Sequence, residues 1–305
     1  MKNLKYIFLI ILGASFLASC DGDFFETTVP VEIPPHESTL AVSAIFIGQN
    51  EVHDVYVSNS LSILSKEDNL SVNDATVTIS EAGNETDIPF YLPERLYRLD
   101  EGNTPLFEAE KTYTITVSHP DFPTASATAT MPKAARIVDF KHERDGTIDE
   151  SGYEVDEITI EIEDLSHETN YYVFEMAERY AYINGTDTSF VYNPVSSLIS
   201  RDPLVRYGFH ANFYEGLPMI SDATFNGHTY QLKLYTYDKP QSGNQLVIQC
   251  YSVNKARYDY LASLQSFVNN QDNPFSEPVN VISNIENGVG IFALQNKAER
   301  VVEVE

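Results

Sequence analysis

Cysteine is nearly absent from this chain: Cys20 and Cys250 are the only two. The first is committed to other chemistry, as argued below. No intramolecular disulfide is therefore expected, and a chain of this length buries enough core without one. Basic residues are scarce as well. Nineteen Lys and Arg stand against 45 Asp and Glu, a net charge of −26. Phosphate backbones are bound by clustered Lys and Arg, so nucleic acid is excluded as a partner. Tryptophan is missing, yet 19 Tyr and 17 Phe supply the apolar surface of a folded protein rather than a disordered tail. There is no repeat of fixed period and no low-complexity tract.

The motifs of common catalytic machinery are also lacking. There is no glycine-rich phosphate loop and no Gly-x-Ser-x-Gly elbow, and "HETNY" (167–171) stops short of His-Glu-x-x-His. The seven His lie far apart, without the spacing of a zinc site. The expectation is no catalytic residue, no metal and no cofactor. "DGTIDESG" (145–152) offers several oxygens, so calcium stays open there, although the spacing is not that of an EF-hand loop.

One long apolar run is present, at the start. Lys2 and Lys5 precede it, and Tyr6 to Leu17 is apolar apart from Ser15. That length suits a signal peptide better than a membrane span. Leu17-Ala18-Ser19-Cys20 then fits a lipobox, in which the cysteine thiol is alkylated with diacylglycerol and becomes the N-terminus. Residues 1–19 read as signal peptide and 20–38 as a lipidated tether, stiffened by Pro30, Pro34 and Pro35.

From Thr39 the apolar residues recur with period two. "TLAVSAIFI", "DVYVS", "ATVTIS", "RLYRL", "TYTITVS" and "ASATATM" are short, rich in β-branched and aromatic residues, and separated by turn formers. A second series follows Pro132. "EITIEIED" (157–164) turns Ile158, Ile160 and Ile162 inward and Glu157, Glu161 and Glu163 outward. "QLVIQCYSV" (245–253) is strand-like and makes Cys250 a buried thiol. One helix is expected near 255–269, with Asn254 as N-cap. The expected fold is all-β: two β-sandwich-like (Ig-like) domains, 39–133 and 134–305, with one short helix in the C-terminal region. Residues 184–227 read as long aromatic loops, and Tyr207, Phe209, Phe213 and Tyr214 are the candidate binding surface.

The stretch "NPFSEPVNVISNIENGVGIFA" (273–293) resembles the end of a Bacteroidetes outer-membrane lipoprotein family, domain of unknown function 4249. "FNGHTYQLKLY" (225–235), "VNDATVTISEAG" and "YTITVSHPDFPTASATATMP" are similar to other stretches of that family. The resemblance implies an outer-membrane lipoprotein, often encoded near a TonB-dependent transporter, with no catalytic residues to carry over. It also implies that Asp21, Asp23 and Glu26, behind Cys20, act as an export signal to the outer face. Ser283–Phe292 reads as architectural, with Asn287, Gly288 and Gly290 permitting a tight turn before a strand from Ile291. The functional expectation is a non-enzymatic surface lipoprotein anchored through its N-terminal lipid, a partner of such a transporter. A surface hydrolase with its site in the 184–227 loops, or an adhesion or structural module, is the alternative.

Overall fold

Alternation sets the first strand, β1 (Leu40–Ile47), which buries Leu40, Val42, Ala44 and Phe46 and turns the residues between them outward. The computed structural model describes residues 35–304, apart from 49–50, 63, 67–70, 101–106, 166–167, 186 and 274. The signal peptide, Cys20, Asp21, Asp23, Glu26 and all of the tether before residue 35 lie outside the described residues. Strands dominate and the one helix of the described residues, α1 (Lys255–Asn270), follows the N-cap Asn254, whose side chain accepts from Arg257 N. No described helix is long and apolar enough to cross a membrane.

The first core lies between two sheets. One is the four-stranded sheet β4 (Asn84–Asp87), β3 (Thr76–Glu81), β7 (Thr112–His119) and β8 (Phe122–Thr130). The other is formed by β1 with β2 (His53–Asn59), β6 (Leu96–Leu99) and β5 (Phe90–Tyr91). Val77, Ile79, Tyr113, Ile115 and Val117 from one sheet meet Val42, Phe46, Val55 and Leu99 from the other. In the second core, the three-stranded sheet β15 (Thr229–Thr236), β10 (Glu154–Glu163) and β9 (Arg136–Ile148) packs on β11 (Tyr171–Asn184) and β16 (Gln245–Val253). Ile158, Ile160 and Ile162 are all buried there, and the intervening glutamates form the outer face. Cys250 is buried in the same core, and burial pushes its thiol pKa up, away from any nucleophilic role.

A boundary near residue 133 is crossed by both the packing and the hydrogen bonding, since Ile285, Phe292 and Leu294 belong to the first core. The last strand, β17 (Gly288–Glu303), pairs in parallel with β1 and antiparallel with β16. One ten-stranded sheet therefore backs both sandwiches, and Ser38–Glu305 form one compact unit. The strand expected from Ile291 begins earlier, at Gly288, so Gly290 (φ 116°) lies inside it rather than in a turn before it. The positive φ belongs to Asn287 and Gly290.

Side chains of the 283–292 block tie the two layers together. Asn284 pairs with the Phe292 backbone twice, accepting from its N–H (2.9 Å) and donating to its carbonyl (2.8 Å). Glu286 bridges to Ser126 of β8, and Asn287 Nδ2 donates to the Thr124 carbonyl. This block is a fastener between β8 and the central sheet.

Inside the first core, His53 is buried with its ring stacked on Phe46 (4.8 Å) and edge-on to Phe107 (5.1 Å). Its Nε2 has no hydrogen-bond partner among the described residues. Burial lowers its pKa to about 4, against the opposing pull of Glu51 and Asp54. The unfolded chain thus takes up this proton first, near its ordinary value of 6.5. The histidine's contribution is intact above about pH 6.5 and is lost as pH falls toward about 4, a loss of about 3 kcal/mol. Between pH 7 and pH 4 the wild type should lose about 3 kcal/mol more stability than His53→Leu, read from denaturant midpoints. Parallel pH profiles would refute this.

Candidate functional site

The four rings expected to make a binding surface do not share one. Phe213 is only 8% exposed and belongs to the second core, with its ring edge-on to His210. Tyr207, on β13 (Arg206–Gly208), is half-buried and its hydroxyl accepts from Ser200 N (2.7 Å). Burial raises its pKa. Phe209 is half-buried, and its N–H donates to the Leu261 carbonyl of α1. Only Tyr214 is exposed, at 83%. The expectation is corrected for a local reason. The segment after β13 returns to β14 (Leu217–Ser221) under α1, and that short path turns its apolar rings inward.

A second correction concerns residues 184–194, expected as loop. They are the turn and return strand of a hairpin, β11 with β12 (Asp187–Pro194). Asn184 pairs with Asp187, and Gly185, at φ 67°, begins the turn. A glycine opening a tight loop between strand-like runs is a hairpin signal, and Gly185 was available in the sequence. β16 accompanies β11 only as far as Arg179, which pairs with Gln245. Beyond that pair the hairpin continues as an unsupported ribbon for about 17 Å, at the usual rise per residue.

Both faces of this ribbon carry exposed rings. Cross-strand register places Tyr180 and Tyr182 on one face with Val191 and Ser189. Arg179, Ile183, Phe190 and Tyr192 share the other. The Arg179 guanidinium lies over Phe190, 4.6 Å from the ring centre, and donates to the Tyr192 hydroxyl. Tyr182 is 55% exposed and Ile183 69%. Hydrogen bonds join neighbouring loops to the ribbon's base. Glu178 accepts from Gln241 N, Ser196 accepts from Tyr214 N, and the Ser196 hydroxyl donates to Asp238. Tyr237, also exposed, donates to Asp149, and Tyr153 stands exposed beside it.

β17 separates this aromatic end from the start of the fold. Leu40 pairs with Gly288 at one end of the strand, and Gln245 pairs with Glu303 at the other. Sixteen residues of strand correspond to about 50 Å.

A polar cluster centres on Asp156. Asp156 is buried and accepts from His142 Nε2 (2.8 Å), Lys239 Nζ (2.7 Å) and Asp145 N (3.1 Å). Burial pulls its pKa up, and Lys239, Asp145 N and His142 together outweigh that and hold it below its ordinary value. Nearby, the Ser197 hydroxyl donates to Asp238 (2.8 Å) and meets Thr236 (3.0 Å). These groups pin the 236–240 segment to β9 and β10. In the "DGTIDESG" stretch, Asp145 is held by Lys239, and Asp149 accepts from Ser151 N and Tyr153 N. Both carboxylates are thus engaged by the chain itself, and no described group of three or more His, Cys, Asp and Glu is placed to hold a metal.

The family described as domain of unknown function (DUF4249) matches residues 26–300, nearly the whole chain. The chain belongs to that family. No curated protein matches it.

Proposed function

We propose that this DUF4249 member is a lipid-anchored, non-enzymatic binding module of the outer membrane, and that the β11–β12 ribbon is its working surface. The observation that carries the reading is the ribbon itself: an unsupported pair of strands with large apolar side chains exposed on both faces. A two-stranded ribbon gains little stability alone, and exposed clusters of this kind mark surfaces that a partner covers. Tyrosine suits such a surface, because its ring buries area while its hydroxyl stays hydrated or bonds across. The described fold begins beside Leu40, which pairs with Gly288 at the start of β17, whereas the ribbon leaves the sheet beside Gln245, which pairs with Glu303 at the end of β17. The partner proposed is a TonB-dependent transporter, on the strength of the family resemblance.

The test is copurification from native membranes. The wild type should bring down the transporter, and the variant with Tyr180, Tyr182, Phe190 and Tyr192 all replaced by Ser should not. The variant should keep its fold, since exposed substitutions change stability by no more than about 0.5 kcal/mol each. A folded variant that still copurifies the transporter places the interface elsewhere. The anchor is tested separately: Cys20→Ala should shift the protein from membrane to soluble fraction or leave it unprocessed. An unmodified, uncut wild-type N-terminus by mass spectrometry would overturn the anchor.

A further inference from the structure

A cleft of ≈ 460 Å³ lies on the outer face of the three-stranded sheet β9–β10–β15, the face turned away from the second core. Gln231, Lys233 and Tyr235 of β15 form its floor, alternating with Leu232 and Leu234, which point into that core. Glu157 of β10 pairs with Tyr235 in register and completes the floor. The wall is the segment from Arg201 to Pro203. Ile199 exchanges backbone hydrogen bonds with Tyr235 in both directions, so this segment runs along the outer edge of β15.

The Arg201 guanidinium crosses from this wall over the floor. It lies 5.0 Å from the centre of the Tyr235 ring and donates to the Ile148 carbonyl of β9. Tyr235 faces away from the core, yet it is buried, because the guanidinium and the edge-on Tyr237 ring cover it. Stacking on one side and a hydrogen bond at the far end hold the guanidinium in place before any ligand arrives. It forms no ion pair among the described residues, in a chain whose net charge is −26. The second cation, Lys233, is paired with Glu157 (2.7 Å), and its side chain is 58% exposed against 18% for the glutamate. Its ammonium is thus at the rim and the carboxylate is beneath it. Asp202, on the wall, accepts from Leu204 N (2.9 Å) and from the Tyr230 hydroxyl, two uncharged donors. The cleft therefore presents two exposed cations at its opening and carboxylate oxygens behind them.

We propose that this cleft binds a hydroxylated monocarboxylate, a sugar acid of single-ring size. Its carboxylate pairs with Arg201, whose planar fork suits two parallel hydrogen bonds, and Lys233 adds attraction from the rim. Its hydroxyls donate to Glu157 and accept from the Gln231 amide. Phosphate brings more negative charge and fewer donors, so Glu157 and Asp202 disfavour it. A neutral sugar leaves the guanidinium unpaired. Polar side chains around a single covered ring suit a hydroxylated ligand better than an apolar one, and the volume is that of a small-molecule pocket.

Isothermal titration calorimetry of the full chain with glucuronate tests the assignment. Saturable binding is expected with a Kd of about 1 mM or tighter. Glucuronamide, which keeps the hydroxyls and lacks the charge, and acetate, which keeps the charge and lacks the hydroxyls, should each bind about tenfold more weakly or worse. Arg201→Gln and Lys233→Gln should each weaken glucuronate binding about tenfold. Both residues are exposed, and Lys233→Gln decides the matter should Arg201→Gln fail to fold. The ribbon variant described above should bind glucuronate as the wild type does, which keeps this test separate from the proposed function. Absence of saturation up to about 10 mM, equal binding of glucuronamide or acetate, or wild-type affinity in either folded variant would overturn the proposal.

Discussion

Gly290→Ala should destabilise the protein by about 4 kcal/mol or more, enough to unfold many domains. A Cβ built at Gly290 comes within 2.0 Å of the Val42 carbonyl oxygen and 2.9 Å of its carbon. Both atoms are backbone of β1, which is held on one side by β17 and on the other by β2. The strand has no room to retreat without losing one of those ladders. The residue's φ of 116° adds strain for any side chain. Gly83 provides the comparison, because it also has positive φ (87°) but nothing within 4 Å of the added Cβ. Gly83→Ala should lose only about 1–2 kcal/mol, the ordinary penalty of that backbone region. Urea midpoints of the two variants measure the difference. If Gly290→Ala is no less stable than Gly83→Ala, the close approach of β1 and β17 is misjudged.

Phe213→Ser should lose about 3–5 kcal/mol, whereas Tyr214→Ser should change stability by no more than about 0.5 kcal/mol. The two residues are adjacent, yet one ring is packed in the second core and the other is almost wholly in water. Truncating Phe213 removes a large apolar side chain and leaves a cavity lined by groups that cannot collapse fully. Truncating Tyr214 removes contact with solvent only. Thermal melts of the two single variants read the contrast directly. Similar losses in both would mean that the 209–216 segment packs differently from the arrangement described here.

Local patterns in the sequence were sufficient for several elements. Ile158, Ile160 and Ile162 alternate with glutamates, and that period alone identifies a half-buried strand. Asn254 ahead of an apolar stripe locates the start of α1, because capping is a contact between residues three apart. The all-β class follows from many such short strands. The hairpin was also legible in Gly185, although the density of polar and aromatic residues around it read as loop. Phe213 and Tyr214 were not distinguishable in sequence, since nothing local says which of two adjacent rings faces a core formed by distant strands.

The sequence by itself determined the period of each strand, the start of the helix, the family and an acidic composition, because all of these are properties of composition or of near neighbours. Only the tertiary structure decided that β1 and β17 pair across about 250 residues and so join two sandwiches through one sheet. It alone decided that the 283–292 block fastens β8 to that sheet, that Gly290 is a contact rather than a turn, and that the exposed rings are those of the ribbon. The physical reason is the same in each case. Burial and close approach depend on which surfaces the folded chain brings together, and a one-dimensional pattern records the face a residue shows but not what meets it.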